Sequence, residues 1–152
     1  MDLNQHGGGC RCLLRLRENA GEPGLSDGMF ISQFISRYPD WQHRPGETDA
    51  SRLCELAKEL KLADKVEVFR DYNRILQEHR AGQSILVLTE RAPEQTKPSL
   101  AVHRHVTLLV AMDETHFTIW CPYPSGQSDV LPKAARTWWD EWLAIGMILY
   151  RP

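Results

Sequence analysis

The sequence lacks any long apolar run: nowhere do about eighteen apolar residues occur together, as a membrane-spanning helix would require. Its first ten residues, MDLNQHGGGC, contain no basic region followed by an apolar stretch, so they do not read as a secretion signal. Internal repeats and low-complexity segments are also absent. These absences favour a soluble cytoplasmic protein, and the 152 residues, 42% of them hydrophobic, predict one compact domain spanning residues 1–152.

Cysteine is scarce, and neither sign of charge dominates. The chain has four cysteines, of which Cys10 and Cys12 are too close for an easy mutual disulfide, so we expect reduced thiols rather than a secreted disulfide scaffold. The 18 basic and 20 acidic residues are interspersed and give a net charge of −2. This balance leaves no electrostatic footprint for nucleic acid or an anionic membrane, and we expect neither as a partner.

What the sequence does contain is a strong β-hairpin signal in its second half. The stretches VTLLV (residues 106–110) and HFTIW (residues 116–120) are rich in β-branched and aromatic residues, and the segment between them has turn chemistry. His105 directly precedes the first stretch, and Cys121 directly follows the second, 16 residues later. The hairpin is therefore predicted to bring both residues to the same end of two adjacent strands, which is a rigid support for a site.

A second signal lies in the segment GGGCRCLLRLRE near the amino terminus. Glycines followed by good helix formers predict a helix that begins near Cys10. A thiol at a helix N-terminus has a lowered pKa, and beside an imidazole it becomes a nucleophile. Cys10 is the candidate nucleophile and His105 the candidate general base, with His103 as the second choice. The alternative is a buried structural thiol at Cys10 and a structural histidine at His105; Cys12 is expected in the core.

The order of these features resembles a known family. The features follow the order of the papain-like cysteine peptidases: an amide residue, a cysteine that opens a helix, a helical middle, the segment AGQSILVL (residues 81–88), and then histidine, strand, turn, strand and Cys-Pro. The chain looks most like the compact bacterial peptidases that process double-glycine leader peptides, and their standalone relatives. The resemblance implies a thiol protease with Cys10, His105, Cys121 and Gln5 at the catalytic positions, no metal or organic cofactor, and a peptide or protein substrate such as a Gly-Gly site.

The sequence departs from that family at two of these positions. Cys121 stands where the family has Asp or Asn before proline, and a neutral thiol is a weak acceptor that would orient an imidazole poorly. Gln5 lies five residues before Cys10, one fewer than the oxyanion-hole glutamine of the family, whose position is taken by Asn4. Either amide could therefore be the oxyanion donor, and Asp129 could substitute for the missing acid.

Three further functions remain open. Cys121 favours a catalytically inactive papain-like domain that binds a peptide or a partner protein. A thiol acyltransferase or deamidase would use the same groups with a different acceptor. A zinc site made of Cys10, Cys12, His103 and His105 is also conceivable, although this is not the usual zinc spacing.

The elements together predict an α+β fold, with a helical half followed by a mostly antiparallel sheet. Trp138, Trp139 and Trp142 are predicted to be core residues, with a role in shielding the histidine from water as the alternative. Helical periodicity and caps predict helices over residues 10–18, 29–38, 49–60, 72–79 and 133–142, and alternation predicts strands over residues 66–69, 84–89, 106–110, 116–120 and 147–150.

Overall fold

Four helices and six strands make up the part of the chain that the structure, a computed structural model, describes: residues 8–21, 50–90, 105–120 and 133–152. In chain order these elements are α1 (Gly8–Asn19), α2 (Ala50–Glu59), β1 (Lys65–Phe69), α3 (Tyr72–Arg80), β2 (Ser84–Thr89), β3 (His105–Met112), β4 (His116–Trp120), β5 (Lys133–Ala135), α4 (Thr137–Glu141) and β6 (Ile145–Tyr150).

The strands form one antiparallel sheet in the order β1-β6-β2-β3-β4-β5. The predicted hairpin is present as β3 and β4, and its register shifts between Leu109 and Ala111. The last strand, β6, lies between β1 and β2 and pairs with both. Helices and an antiparallel sheet in one chain confirm the α+β prediction.

Helices cover both faces of the sheet. Successive strand residues point to opposite faces, so each strand contributes side chains to two separate buried clusters. On one face, Leu86, Val106 and Leu108 pack with buried residues of α1 and α2. On the other face, Val87 and Leu109 pack with a second buried cluster from α3, α4 and the segment after α4: Tyr72, Ile75, Trp139, Trp142 and Ala144. The sheet is therefore the middle layer of three.

Local sequence explains where α3 begins and ends. The Asp71 side chain accepts a hydrogen bond from the backbone N–H of Asn73 at 3.0 Å, which satisfies one of the first N–H groups of the helix. After the last turn, Gly82 has a φ of 87°, a left-handed conformation that favours glycine, and its N–H donates to the His79 carbonyl at 3.0 Å. The chain is thereby turned into β2.

Most predicted elements within the described residues are confirmed, but one is wrong in part. Residues 133–142 were expected to be helical throughout, whereas Lys133–Ala135 is strand β5 and only Thr137–Glu141 is helix. Lysine and alanine favour helix, but these residues pair with the outer side of β4, and that tertiary pairing overrides a weak local preference. Trp139 and Trp142 are buried as predicted, and Trp138 is half-buried. The predicted helix over residues 29–38 lies outside the described residues.

Candidate active site

Helix α1 is fixed to the beginning of β3 by a buried contact. The Cys12 thiol lies 3.8 Å from the Val106 carbonyl oxygen and is placed to donate to it, across 94 residues of sequence. Cys12 is 0% exposed and Val106 is 2% exposed, so this contact is internal to the core. The prediction that Cys12 is a core residue is confirmed.

A second contact ties the same helix to the end of β4. The Arg15 guanidinium lies over the Trp120 indole, 4.9 Å from the ring centroid, in a cation–π arrangement. Trp120 is the last residue of β4 and pairs with Leu108 of β3. The middle of α1, from Cys12 to Arg15, therefore lies against both hairpin strands, near the place where β3 begins and β4 ends.

Cys10 lies two residues before Cys12, and His105 lies one residue before Val106, the two residues that form the buried contact. Cys10 is in the first turn of α1, two residues before Cys12 and so about 3 Å earlier along the helix axis. His105 is the first residue of β3 and directly precedes Val106. The prediction that a helix carries Cys10 and a strand carries His105 is confirmed, while the two side chains themselves are outside the described part of the chain.

The register of β3 defines which of its described side chains face α1. Val106 and Leu108 face α1, and Leu109, with Thr107 by alternation, faces the other side of the sheet.

The first turn of helix α1 contains no acidic residue that would neutralise the positive end of the helix dipole. In general, the first N–H groups of a helix have no partner within the helix, and a thiol placed at such an end has a lowered pKa.

Strand β2 supplies a neighbour of His105 that the sequence reading missed. Thr89, the last residue of β2, is paired in register with His105 and is 3% exposed. Two pairs further along, Val87 is opposite Thr107, whose hydroxyl donates to the Val87 carbonyl at 3.2 Å. A threonine at the end of the segment SILVLT was the only sequence signal, and it gives no indication of strand register.

The opposite end of the hairpin is held by a different set of groups. The Asp113 carboxylate accepts from the Thr115 and His116 N–H groups, both at 2.8 Å, and from the Thr115 hydroxyl; these hydrogen bonds lower the pKa of Asp113 to about 2. The Tyr72 hydroxyl lies 2.7 Å from the Asp113 carbonyl oxygen and 3.0 Å from that of His116, and burial raises the pKa of Tyr72 to about 12. This end stabilises the turn, far from His105.

The remaining predicted site residues cannot be placed in this geometry. Gln5 and Cys121 lie outside the described residues, as do their alternatives Asn4, His103 and Asp129. Within the described part of the chain, no group of three or more histidine, cysteine or acidic side chains could hold a metal ion. No helix among those residues is both long enough and apolar enough to cross a membrane.

Comparison of the chain with family models, with curated proteins and with solved structures gives no match. Its function therefore has to be inferred from its residues and their geometry.

Proposed function

We propose that this chain is a papain-like cysteine peptidase or related amide hydrolase in which Cys10 is the nucleophile and His105 the general base. The contact of Cys12 with the Val106 carbonyl carries the proposal, because it fixes α1 two residues after Cys10 to β3 one residue after His105. This chemistry requires a thiol and an imidazole within hydrogen-bond reach of each other, and a helix N-terminus is one of the places that favour a thiolate.

The architecture around the corner supports the same proposal. Helix α1 packs on an antiparallel sheet through its buried residues Cys12, Leu13 and Leu14. The strand that begins with His105 is followed by a tight turn and a return strand, which is the order of elements expected of a papain-like peptidase. Trp120, the last residue of that return strand, is 6% exposed and lies under the Arg15 guanidinium. The end of β4, directly before position 121, is therefore packed against α1.

The proposed reaction uses only groups of this chain and water. The Cys10 thiolate attacks the carbonyl carbon of an amide, and Gln5 or Asn4 with the Cys10 N–H stabilises the oxyanion. The C–N bond then breaks, and the His105 imidazolium gives its proton to the leaving amine. The acyl group remains on Cys10 as a thioester. Water, deprotonated by His105, then attacks the thioester and releases a carboxylic acid and the free thiol. The resemblance favours a substrate with small residues, such as a Gly-Gly site.

Cys121 favours one alternative function. A thiol at the position of the orienting acid holds an imidazole weakly, so the fold could bind a peptide or a partner protein without cleaving it. A Cys/His pair tolerates this loss better than a serine nucleophile does, because a preformed thiolate depends less on the third group.

The reactivity of each cysteine tests the proposal directly. We expect iodoacetamide to alkylate Cys10 rapidly near pH 6 in the parent chain, and this advantage to disappear in His105→Ala, when every cysteine is followed separately by peptide mass spectrometry. His116→Ala is the matched control, since His116 is exposed and lies at the other end of the hairpin. Cys12, which is 0% exposed, should react only on unfolding.

A Cys10 that titrates near 8.5, like an ordinary thiol, would overturn the peptidase proposal and leave the binding protein. The same conclusion follows if His105→Ala and His116→Ala change the reactivity of Cys10 equally.

A further inference from the structure

The turn between β3 and β4 contains three polar side chains that are hydrogen-bonded in series. The Thr115 hydroxyl lies 2.9 Å from the Asp113 carboxylate and also 2.9 Å from Nδ1 of His116. All three residues are exposed. A carboxylate, a hydroxyl and an imidazole therefore follow one another at the surface, and we call this group the turn relay.

The positions of the protons in the turn relay follow from its acid end. The pKa of Asp113 is about 2, so at neutral pH this carboxylate is ionised and can only accept. Thr115 has a single hydroxyl proton, and a hydrogen bond to a carboxylate is stronger than one to a neutral ring. The hydroxyl therefore donates to Asp113, and its contact with His116 requires a proton on Nδ1. A neutral His116 then has its lone pair on Nε2.

Backbone contacts fix each member of the turn relay. The buried Tyr72 contributes its hydroxyl, which lies 2.7 Å from the Asp113 carbonyl oxygen and 3.0 Å from that of His116. The Arg136 N–H donates to the Thr115 carbonyl at 2.8 Å. The imidazole is thus attached to a turn that core and neighbouring-strand groups hold in place, which is the support that a reactive side chain requires.

We propose that His116 is a second reactive site, at which Nε2 attacks the carbonyl carbon of activated esters and thioesters, with Thr115 and Asp113 as positioning residues. Nε2 makes no hydrogen bond within the described part of the chain, and the ring is open to solvent. A nucleophile needs only this one lone pair. The site is independent of the proposed peptidase, because the turn lies at the opposite end of the hairpin from His105.

The reaction needs only the acyl donor and water. Nε2 forms a bond to the carbonyl carbon, the C–O or C–S bond breaks, and the alcoholate or thiolate leaves with the electron pair. The acylated ring is positively charged and still donates Nδ1–H to Thr115, so the turn relay favours this intermediate. Water then attacks the acyl carbon, the carboxylic acid is released, the electron pair returns to Nε2 and one proton passes to solvent.

Hydrolysis of p-nitrophenyl acetate by the full chain with Cys10→Ala tests the site without the candidate nucleophile of the peptidase. We expect His116→Ala to remove most of the rate above the uncatalysed background. His79→Ala, which alters a half-buried histidine in α3, should leave the rate unchanged. One ordinary hydrogen bond corresponds to roughly 2–10-fold in rate. Thr115→Val should therefore lower the His116-dependent rate by about this factor, and Thr115→Ser, which keeps a hydroxyl, should restore it.

The tautomer of His116 is measured directly by heteronuclear NMR of the ring nitrogens. In the parent, the neutral ring should carry its proton on Nδ1 and none on Nε2. Thr115→Val should lose this fixed pattern, and Thr115→Ser should keep it. Thr115→Ala replaces Thr115→Val in both assays if the latter does not fold.

Three outcomes overturn the inference. They are a neutral His116 protonated on Nε2 in the parent, a hydrolysis rate that Thr115→Val leaves unchanged, and equal losses of rate in His116→Ala and His79→Ala. The proposed peptidase stands or falls separately, by the alkylation of Cys10.

Discussion

The packing of Gly146 against Ile75 allows a sharp prediction about stability. Gly146 lies in β6, where it pairs with Phe69 of β1 and Val87 of β2, in the middle of the sheet. A Cβ added there would lie 2.7 Å from Cγ1 of Ile75 and closer still to its Cδ1. Ile75 is 0% exposed in α3, so it has no free space into which to move.

The magnitude follows from two opposing effects. Overpacking a close-packed core costs about 1–3 kcal/mol, whereas replacing a strand glycine by alanine recovers about 0.5–1 kcal/mol of backbone entropy. Because the overlapping atoms belong to a fully buried side chain, we expect Gly146→Ala to lower the free energy of unfolding by about 1–2 kcal/mol. Ile75→Val, which removes the nearest overlapping atom, should alone cost about 0.5–1.5 kcal/mol.

Urea denaturation of the two single variants and the double variant provides the assay. If the overlap is the cause, the double variant loses about 1 kcal/mol less than the sum of the single losses. Gly82→Ala serves as the control, because Gly82 also resists substitution, through its φ of 87°, but an added Cβ would meet nothing within 4 Å. Its effect should therefore add to that of Ile75→Val. Additivity within about 0.5 kcal/mol for Gly146→Ala would refute the reasoning.

Two further predictions concern the turn of the hairpin, and both are checked by thermal unfolding as a function of pH. The pKa of Asp113 is lowered from 3.8 to about 2, so its contribution to stability is present above pH 3.8 and is lost as the pH falls through 2. In Asp113→Asn this acid-dependent loss of stability should largely vanish. A pH profile unchanged from that of the parent would contradict the prediction. The pKa of Tyr72 is raised from 10.0 to about 12, so its contribution is present below pH 10 and is lost as the pH rises through 12. Tyr72→Phe should therefore be less stable than the parent at neutral pH but lose less stability above pH 10, and parallel profiles would argue against this.

Local signals were enough to predict most of the described elements. Alternating β-branched residues predicted the β3–β4 hairpin, and Asp71 and Gly82 marked the limits of α3, because periodicity and caps depend only on near neighbours in sequence. Strand β5 was mistaken for helix because its conformation is determined by pairing with β4, which local propensity does not encode.

For the candidate site, too, local features could be predicted from the sequence and contacts between distant segments could not. Glycines before Cys10 and the strand after His105 are local signals, and the structure confirms the elements that they predict. The opposition of Thr89 and His105 is a matter of register between strands that are separate in sequence, and so is the contact of Cys12 with Val106. Register depends on how whole faces of the sheet are buried, and for that reason a pattern within one segment cannot reveal it.

The central position of β6 has a consequence for how the protein is made. Its residues, Ile145–Tyr150, are synthesised after those of the five other described strands, yet they join β1 to β2 in the sheet. While they are still inside the ribosome, β1 has no neighbour and β2 has one open side. We expect the native sheet to form only after this segment has left the ribosome, so β1 and β2 need protection from aggregation until then.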